Sequence, residues 1–238
     1  MRVLLLLTSL FSFSLSEAQV VSEQPDSIQE EPASSESGLH FFARGGVSLP
    51  AFVYDFEDPN LYDSRFLPGA NIGVGMQLPL VRKRWLLLQP ELKFIQKGMQ
   101  AKVRYGEPFP NIYKTINFRH NYLAMPIQLM FRFHIRKVWM ETGLGGFIAW
   151  GIGGKVHSHG VKTFDVYDVS GDPSVYSDKI GFRHFDTGFN WEFNVGIGKW
   201  AVGMSTECSL VRFHKLTRLN DAENYNFVCS CYLKYMFK

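Results

Sequence analysis

Three cysteines in 238 residues are too few for a disulfide scaffold. Past residue 20 there is no run of about 18 uninterrupted apolar residues, so no helix of this chain can span a bilayer. The mechanism-bearing spacings are missing as well: no Gly-x-Ser-x-Gly elbow, no His-Glu-x-x-His, and no cysteine pattern with metal-ligand spacing, while His157-Ser158-His159 offers two metal ligands at most. With 46% apolar and 20% charged residues the composition is not that of a disordered chain. What stands in excess is Phe and Gly, 21 of each, in a chain whose mean hydropathy is -0.08.

The N-terminus reads as an export signal. Met1-Arg2 is a short basic start, Val3 to Leu15 is apolar apart from small hydroxyl residues, and Ser16-Glu17-Ala18 offers small residues to a signal peptidase. Residues 1–18 are therefore expected to be a signal peptide cleaved before Gln19. Residues 19–38 follow as an acidic, Ser- and Pro-rich segment, expected to be a disordered periplasmic tail because it has too little apolar surface to offset its ordering entropy. Residues 1–37 hold one base and six acids, so the 25 bases and 22 acids of the whole chain leave 24 and 16 beyond them, a net +8. Such an excess suits contact with an anionic surface.

From residue 39 to 238 the pattern has a period of two. In residues 67–80, Ala70, Ile72, Val74, Met76, Leu78 and Leu80 share one face, and Gly69, Asn71, Gly73, Gly75 and Gln77 the other. In residues 185–197, Phe185, Phe189, Trp191, Phe193, Val195 and Ile197 alternate with Asp186, Gly188, Asn190, Glu192, Asn194 and Gly196. Segments 39–49, 85–97, 120–133, 138–150, 200–211 and a last one closing the chain obey the same rule, which makes eight strands. Their connections alternate between long (50–66, 98–118, 152–183, 212–223) and short (Val81 to Arg84, His134 to Lys137, Gly198-Lys199). Short turns at one end and long loops at the other predict an all-β fold: an eight-stranded antiparallel up-and-down transmembrane β-barrel of an outer membrane.

Alternation alone also fits a soluble lipocalin-like lipid-binding barrel with its apolar face inward. Three features favour apolar-out. Eight inward rows of Phe, Trp, Leu and Ile would overfill so narrow an interior. The polar faces are rich in Gly, Ser and Asn, as a crowded lumen requires. Trp85, Trp150, Trp200, Tyr225 and Tyr235 fall near strand ends, where interfacial girdles sit, with Trp191 the exception. Pro90 and Pro126 lie mid-strand without a ladder donor, and each is expected at a bulge.

The runs Leu88-Gln89-Pro90-Glu91-Leu92 with Lys97-Gly98, and Tyr122-Leu123-Ala124-Met125-Pro126, resemble the PorT-like outer-membrane β-barrel proteins of Bacteroidetes. Gly143-Leu144-Gly145-Gly146 and Tyr232-Leu233-Lys234-Tyr235-Met236-Phe237 agree with that pattern. The resemblance covers about residues 40–238. It implies an outer-membrane barrel, and its family name implies an accessory part in protein secretion of the type IX kind.

If the polar faces point inward, the lumen receives Arg44, Lys93, Arg132 and Lys234 against Glu91, Glu141, Asp186, Glu192 and Glu207. Buried charges must pair, so an ion-pair plug is expected rather than a pore. His120, His157, His159, His184 and His214 map to the long-loop end and make up a candidate site for a loop-end hydrolase or acyltransferase. Solvated loop histidines are the plainer reading, and no catalytic residue, metal or cofactor is assigned. Cys208 is expected roughly opposite Cys229, where a cross-strand bridge is sterically conceivable.

Arg82, Lys83, Arg84, Arg136, Lys137 and Lys199 gather at the short turns. Lys97, Lys102, Arg104 and Lys114 fall at or within a long outer loop. The expected partners are outer-membrane lipid and lipopolysaccharide, together with envelope or secretion proteins. Nucleic acid is not expected, since no one surface interleaves bases and aromatics. The function that follows is a non-catalytic structural or interaction protein of the cell envelope.

Overall fold

The computed structural model describes residues 38–53, 61–104, 113–159, 163–164, 167–168, 170–178, 180–212 and 225–237. The expected signal peptide and all but the last residue of the acidic segment lie outside them. The strands are β1 (His40–Val53), β2 (Leu61–Phe66), β3 (Gly69–Pro79), β4 (Leu86–Arg104), β5 (Tyr113–Ile135), β6 (Val138–Ser158), β7 (Thr163–Phe164), β8 (Tyr167–Asp168), β9 (Phe185–Ile197), β10 (Trp200–Ser209) and β11 (Tyr225–Met236). Eight of them close a ring in the order β1-β3-β4-β5-β6-β9-β10-β11, every neighbour antiparallel. The seam joins β1 to β11, from Phe42 opposite Met236 to Val53 opposite Tyr225. Closure pairs each strand on both sides, which hydrocarbon requires of any sheet that crosses it.

The alternation orients the ring. Phe189, Leu144, Val202, Ile72 and Ile127 are exposed on the outer face, while Glu192, Asn194, Gln89, Gln128 and Glu141 are fully buried inside. Trp191 and Phe193 share the parity of Phe189, outside. This is the reverse of a lipocalin-like barrel, which would hide those rings and wet those carboxylates. Trp85 and Trp200 mark the outer face at the short-turn end and Trp150 marks it towards the long-loop end, all exposed.

Strand heights are unequal. β9, β10 and β11 have 13, 10 and 12 residues, close to the 9–11 or so that a tilted crossing needs. β4, β5 and β6 have 19, 23 and 21, and rise well past it. The segments expected as loops at 50–66 and 98–118 are thus largely strand: β2 lies along the upper part of β4, from Leu61 opposite Val103 to Phe66 opposite Met99.

Neither mid-strand proline sits at a bulge. Pro90 faces Ile127, and the register is unchanged at Lys93 opposite Ala124. Across β5 and β6, Pro126 faces Phe147 in the same register that holds from Tyr122 to Ile135. The β3–β4 ladder skips the pairs from Met76–Pro90 to Gln77–Gln89, and the β4–β5 ladder skips Glu91–Pro126 and Leu92–Met125, without a shift. A missing N–H costs these ladders contacts beside the ring, not an inserted residue. The bulge in this ladder falls instead on β6, where Ile152 is the extra residue between Gly151 opposite Tyr122 and Gly153 opposite Asn121.

Candidate functional site

The barrel interior is layered. Nearest the short turns, Phe42, Trp139, Ala201 and Met236 form an apolar floor. The Trp139 Nε1–H donates to the Gly198 carbonyl at 3.0 Å, so the ring's one polar atom is satisfied. Room for these side chains comes from glycines across the ladder. A methyl group at Gly196 would run into the Trp139 ring, and one at Gly75 into Phe42. Tyr232 lies between Gly46 on β1 and Gly203 on β10 and fills both gaps. That is why the inward faces hold so many glycines.

Above the floor lies a network of five cations and five carboxylates. Arg44 is its hub: Nε is 2.6 Å from Glu91 Oε1, Nη1 donates to Glu192 Oε2 at 2.9 Å, and its guanidinium stacks on Tyr232 at 4.4 Å. Lys234 Nζ lies 3.3 Å from Glu141 Oε2 and 3.5 Å from Glu192 Oε1 and donates to Gln89 Oε1 at 2.8 Å. Arg132 Nε donates to Glu141 Oε1 at 2.6 Å. Lys93 pairs with Glu207, and Lys97 bridges Glu207 at 3.4 Å and Asp186 at 2.8 Å. Neutral donors complete the carboxylates. Gln89 Nε2 donates to Glu192 at 3.2 Å, Asn194 Nδ2 to Glu192 at 2.8 Å, and Ser209 Oγ to Asp186 at 2.9 Å. All nine residues expected in the lumen belong to this network. Lys97 is the tenth, and it corrects the sequence reading that placed it at an outer loop: β4 runs on past it, with its side chain on the same face as Glu91 and Lys93.

Beyond the charges comes a second apolar layer of Ile95, Tyr122, Ala124, Phe147, Ala149 and Val228. Residues 173–178 and 180–184 fold onto the tall wall above it. The Val156 N–H donates to the Pro173 carbonyl at 3.0 Å, the Val175 N–H to Gly154 at 3.4 Å, and the Gly151 N–H to His184 at 2.7 Å. Val175, Ile180 and Phe182 are buried there, as are Met99, Ala101, Ile116, Phe118 and Val156 of the wall. Phe182 meets Phe118 edge-on at 6.0 Å and His120 at 4.5 Å.

The four described histidines of the candidate set do not assemble into one site. His120 is buried, not at an open rim, enclosed by Tyr122, Tyr176 and Phe182. His184 stacks between Tyr176 at 4.1 Å and Trp150 at 5.7 Å. Its Nδ1 lies 2.7 Å from the Gly151 carbonyl, an acceptor only, so Nδ1 carries the proton. His157 and His159 are exposed outside, and His214 lies outside the described residues. His157 Nδ1 is 3.1 Å from Asp172 Oδ2. The Ser158 backbone N–H, and after it the His157 ring, hold the exposed Asp172 carboxyl below the ordinary range. Among the described residues no group of three or more His, Cys, Asp or Glu is arranged to hold a metal ion.

The cysteines are free. Cys208 faces Phe227, and Cys229 faces Thr206, so the expected opposition of Cys208 and Cys229 is off by two residues. Thr206 Oγ1 takes the contact instead, 3.8 Å from Cys229 Sγ.

A family model described as outer membrane protein beta-barrel domain matches residues 18–214. Among solved structures, similar chains include Ail, the attachment invasion locus protein of Yersinia pestis, at 11% identity and a TM-score of 0.40, covering 83% of this chain and 98% of that one. Neisserial surface protein A is 9% identical with a TM-score of 0.41 over 84% of this chain and 98% of its own. The outer membrane protein OprG from Pseudomonas aeruginosa is 11% identical with a TM-score of 0.41, over 83% and 95%. No curated protein sequence matches the chain.

Proposed function

The chain belongs to the outer membrane protein beta-barrel domain family and resides in the outer membrane of a Gram-negative bacterium, and from that premise we propose that it is a non-catalytic, non-conducting interaction barrel of the cell envelope. The observation that carries this reading is the filled lumen: five cations and five carboxylates joined across the ring, with an apolar floor below and an apolar layer above. An eight-stranded ring is just wide enough for side chains to fill, and those in this lumen pair with one another and leave no continuous water column. The working surface is then the wall formed by β4, β5 and β6 with the segment folded on it. In planar bilayers the protein is expected to give no stable, large single-channel steps. Such steps would end the proposal.

A finer assignment, an accessory part in protein secretion of the type IX kind, draws its support from the motifs shared with PorT-like barrels. Affinity capture of the cross-linked native complex is expected to recover envelope secretion proteins. Recovery of lipid alone would remove that assignment and leave the barrel reading intact. Lys102, Arg104 and Lys114, which the sequence gives to the long-loop end, are the cations we propose for lipopolysaccharide phosphates. A signal peptide ending at Ala18 fits this destination, and N-terminal sequencing of the mature protein should begin at Gln19.

A further inference from the structure

We propose that the two neighbouring short turns β3–β4 and β5–β6 form a binding site for an anionic phospholipid, best matched by a headgroup with two phosphates. This goes beyond the interaction reading above and needs only the membrane location.

The first turn, Leu80 to Trp85, carries Arg82, Lys83 and Arg84; the second carries Arg136 and Lys137. Neither turn contains an acid. Arg82, Lys83, Arg136 and Lys137 are exposed. β4 and β5 are direct neighbours, with Leu86 opposite Phe131, and the Arg132 N–H donates to the Trp85 carbonyl at 2.8 Å. Adjacent strands lie about 4.8 Å apart, so the two basic turns stand side by side and bring the exposed Arg82, Lys83, Arg136 and Lys137 to the same rim.

The surface beneath supplies the other half of a lipid site. Trp85 stacks on Phe131 with ring centroids 6.0 Å apart, and Phe133 and Ile135 continue outward along β5, all exposed. This platform runs without interruption into the apolar belt that faces the acyl chains. Cations directly above aromatic and aliphatic side chains match the order of phosphate and acyl chain in a leaflet.

Backbone conformation adds an independent argument. Arg84 and Arg136 have φ of 53° and 57°, the left-handed region that glycine or asparagine adopts at least cost. At the third short turn that conformation is given to Gly198, φ 60°, and only Lys199 is charged. Arginine at two positions where glycine would be less strained points to a use for the side chains themselves.

The test uses the full chain refolded in phosphatidylcholine vesicles doped with brominated lipids, whose bromines quench tryptophan on contact. Brominated diphosphatidylglycerol is expected to quench more than the same quantity of bromine on phosphatidylcholine, and more than brominated phosphatidylglycerol at equal charge. Trp85→Phe should remove the excess by removing the reporter. Neutralising cations should weaken apparent affinity about 5-fold per charge, hence roughly 25-fold for R136Q/K137Q. About 1 M salt should erase it in the unaltered protein. R119Q/K155Q, on the tall wall, should leave it unchanged. Equal quenching by the diphosphate and phosphatidylcholine forms, or an excess that survives R136Q/K137Q, would overturn the proposal. Equal quenching by the one-phosphate lipid would overturn the two-phosphate match. Should the double variant fail to insert, the salt series on the unaltered protein decides.

Discussion

The middle of the barrel and its outer end are both filled with side chains, yet by opposite chemistries. In the middle, every strand of the ring contributes polar groups to one network, and Arg44, Glu192 and Lys234 reach across the lumen to strands far apart in the chain. At the outer end, Val175, Ile180 and Phe182 cover only β4, β5 and β6, through apolar contact and three backbone hydrogen bonds. The first arrangement is cooperative, because six of the ten charges bridge two partners of opposite sign. The second is local, because the segment docks on strands that are paired with or without it. The middle should therefore unfold with the whole barrel and the outer segment ahead of it.

The strongest way to break this contrast is to remove the hub. Arg44→Ala strands Glu91 and leaves Glu192 with Lys234 as its cation, and is expected to cost about 3–5 kcal/mol of whole-barrel stability, read by urea unfolding of the vesicle-inserted protein with band-shift electrophoresis. A loss below about 1 kcal/mol would show that the network relaxes around the gap. Phe182→Ala should come next, at about 3 kcal/mol, but confined to its own region. Hydrogen exchange should speed up at the Val156 and Val175 amides, whose bonds join the wall to that segment, while amides within the ring ladders keep their protection. A uniform speed-up would merge the two regions into one cooperative unit.

A smaller effect tests the floor. Gly196→Ala drives a methyl into the Trp139 ring and should cost about 1–3 kcal/mol, recovered in part by combining it with Trp139→Leu. Strict additivity of the two would mean that they do not share that space. The smallest effect belongs to the exposed pair outside: Asp172→Asn should leave global stability unchanged within the error of the unfolding measurement. Its carboxyl is held below the ordinary range, so the contact with His157 and Ser158 is present above that range and is lost as pH falls through the lowered value. Chemical shifts of the Ser158 amide should follow this titration, with a midpoint below that of a free aspartate. A midpoint at the ordinary value would show that the hydrogen bond does not persist in solution.

The period of two made the barrel and the orientation of its faces legible, because Glu192 and Asn194 could not share a face with Phe189 and Phe193 without wasting one set. It did not reveal where strands end. Above the membrane the contrast inverts, since the outer face there meets water: Met99, Ala101, Ile116 and Phe118 are apolar and buried, while Gln100, Lys102 and Asn117 take the other parity. Lys97 was hidden for this reason, although its parity with Glu91 and Lys93 was available. Trp139 was obscured differently: its place inside depends on Gly196 across the ladder, and that pairing is a matter of register. The burial of Phe182 is a contact between distant segments, which no local spacing encodes.

The seam between β1 and β11 carries a consequence for assembly. Twelve residue pairs there join the first described strand to the last, so no cylinder exists until the C-terminal stretch has been delivered. Any partial product keeps two unsatisfied borders, and a nascent chain must be shielded for the whole time that it waits for its final dozen residues. A circular permutant opened between Gly198 and Lys199, with a linker across the old termini, would move that vulnerable moment to another place on the circumference.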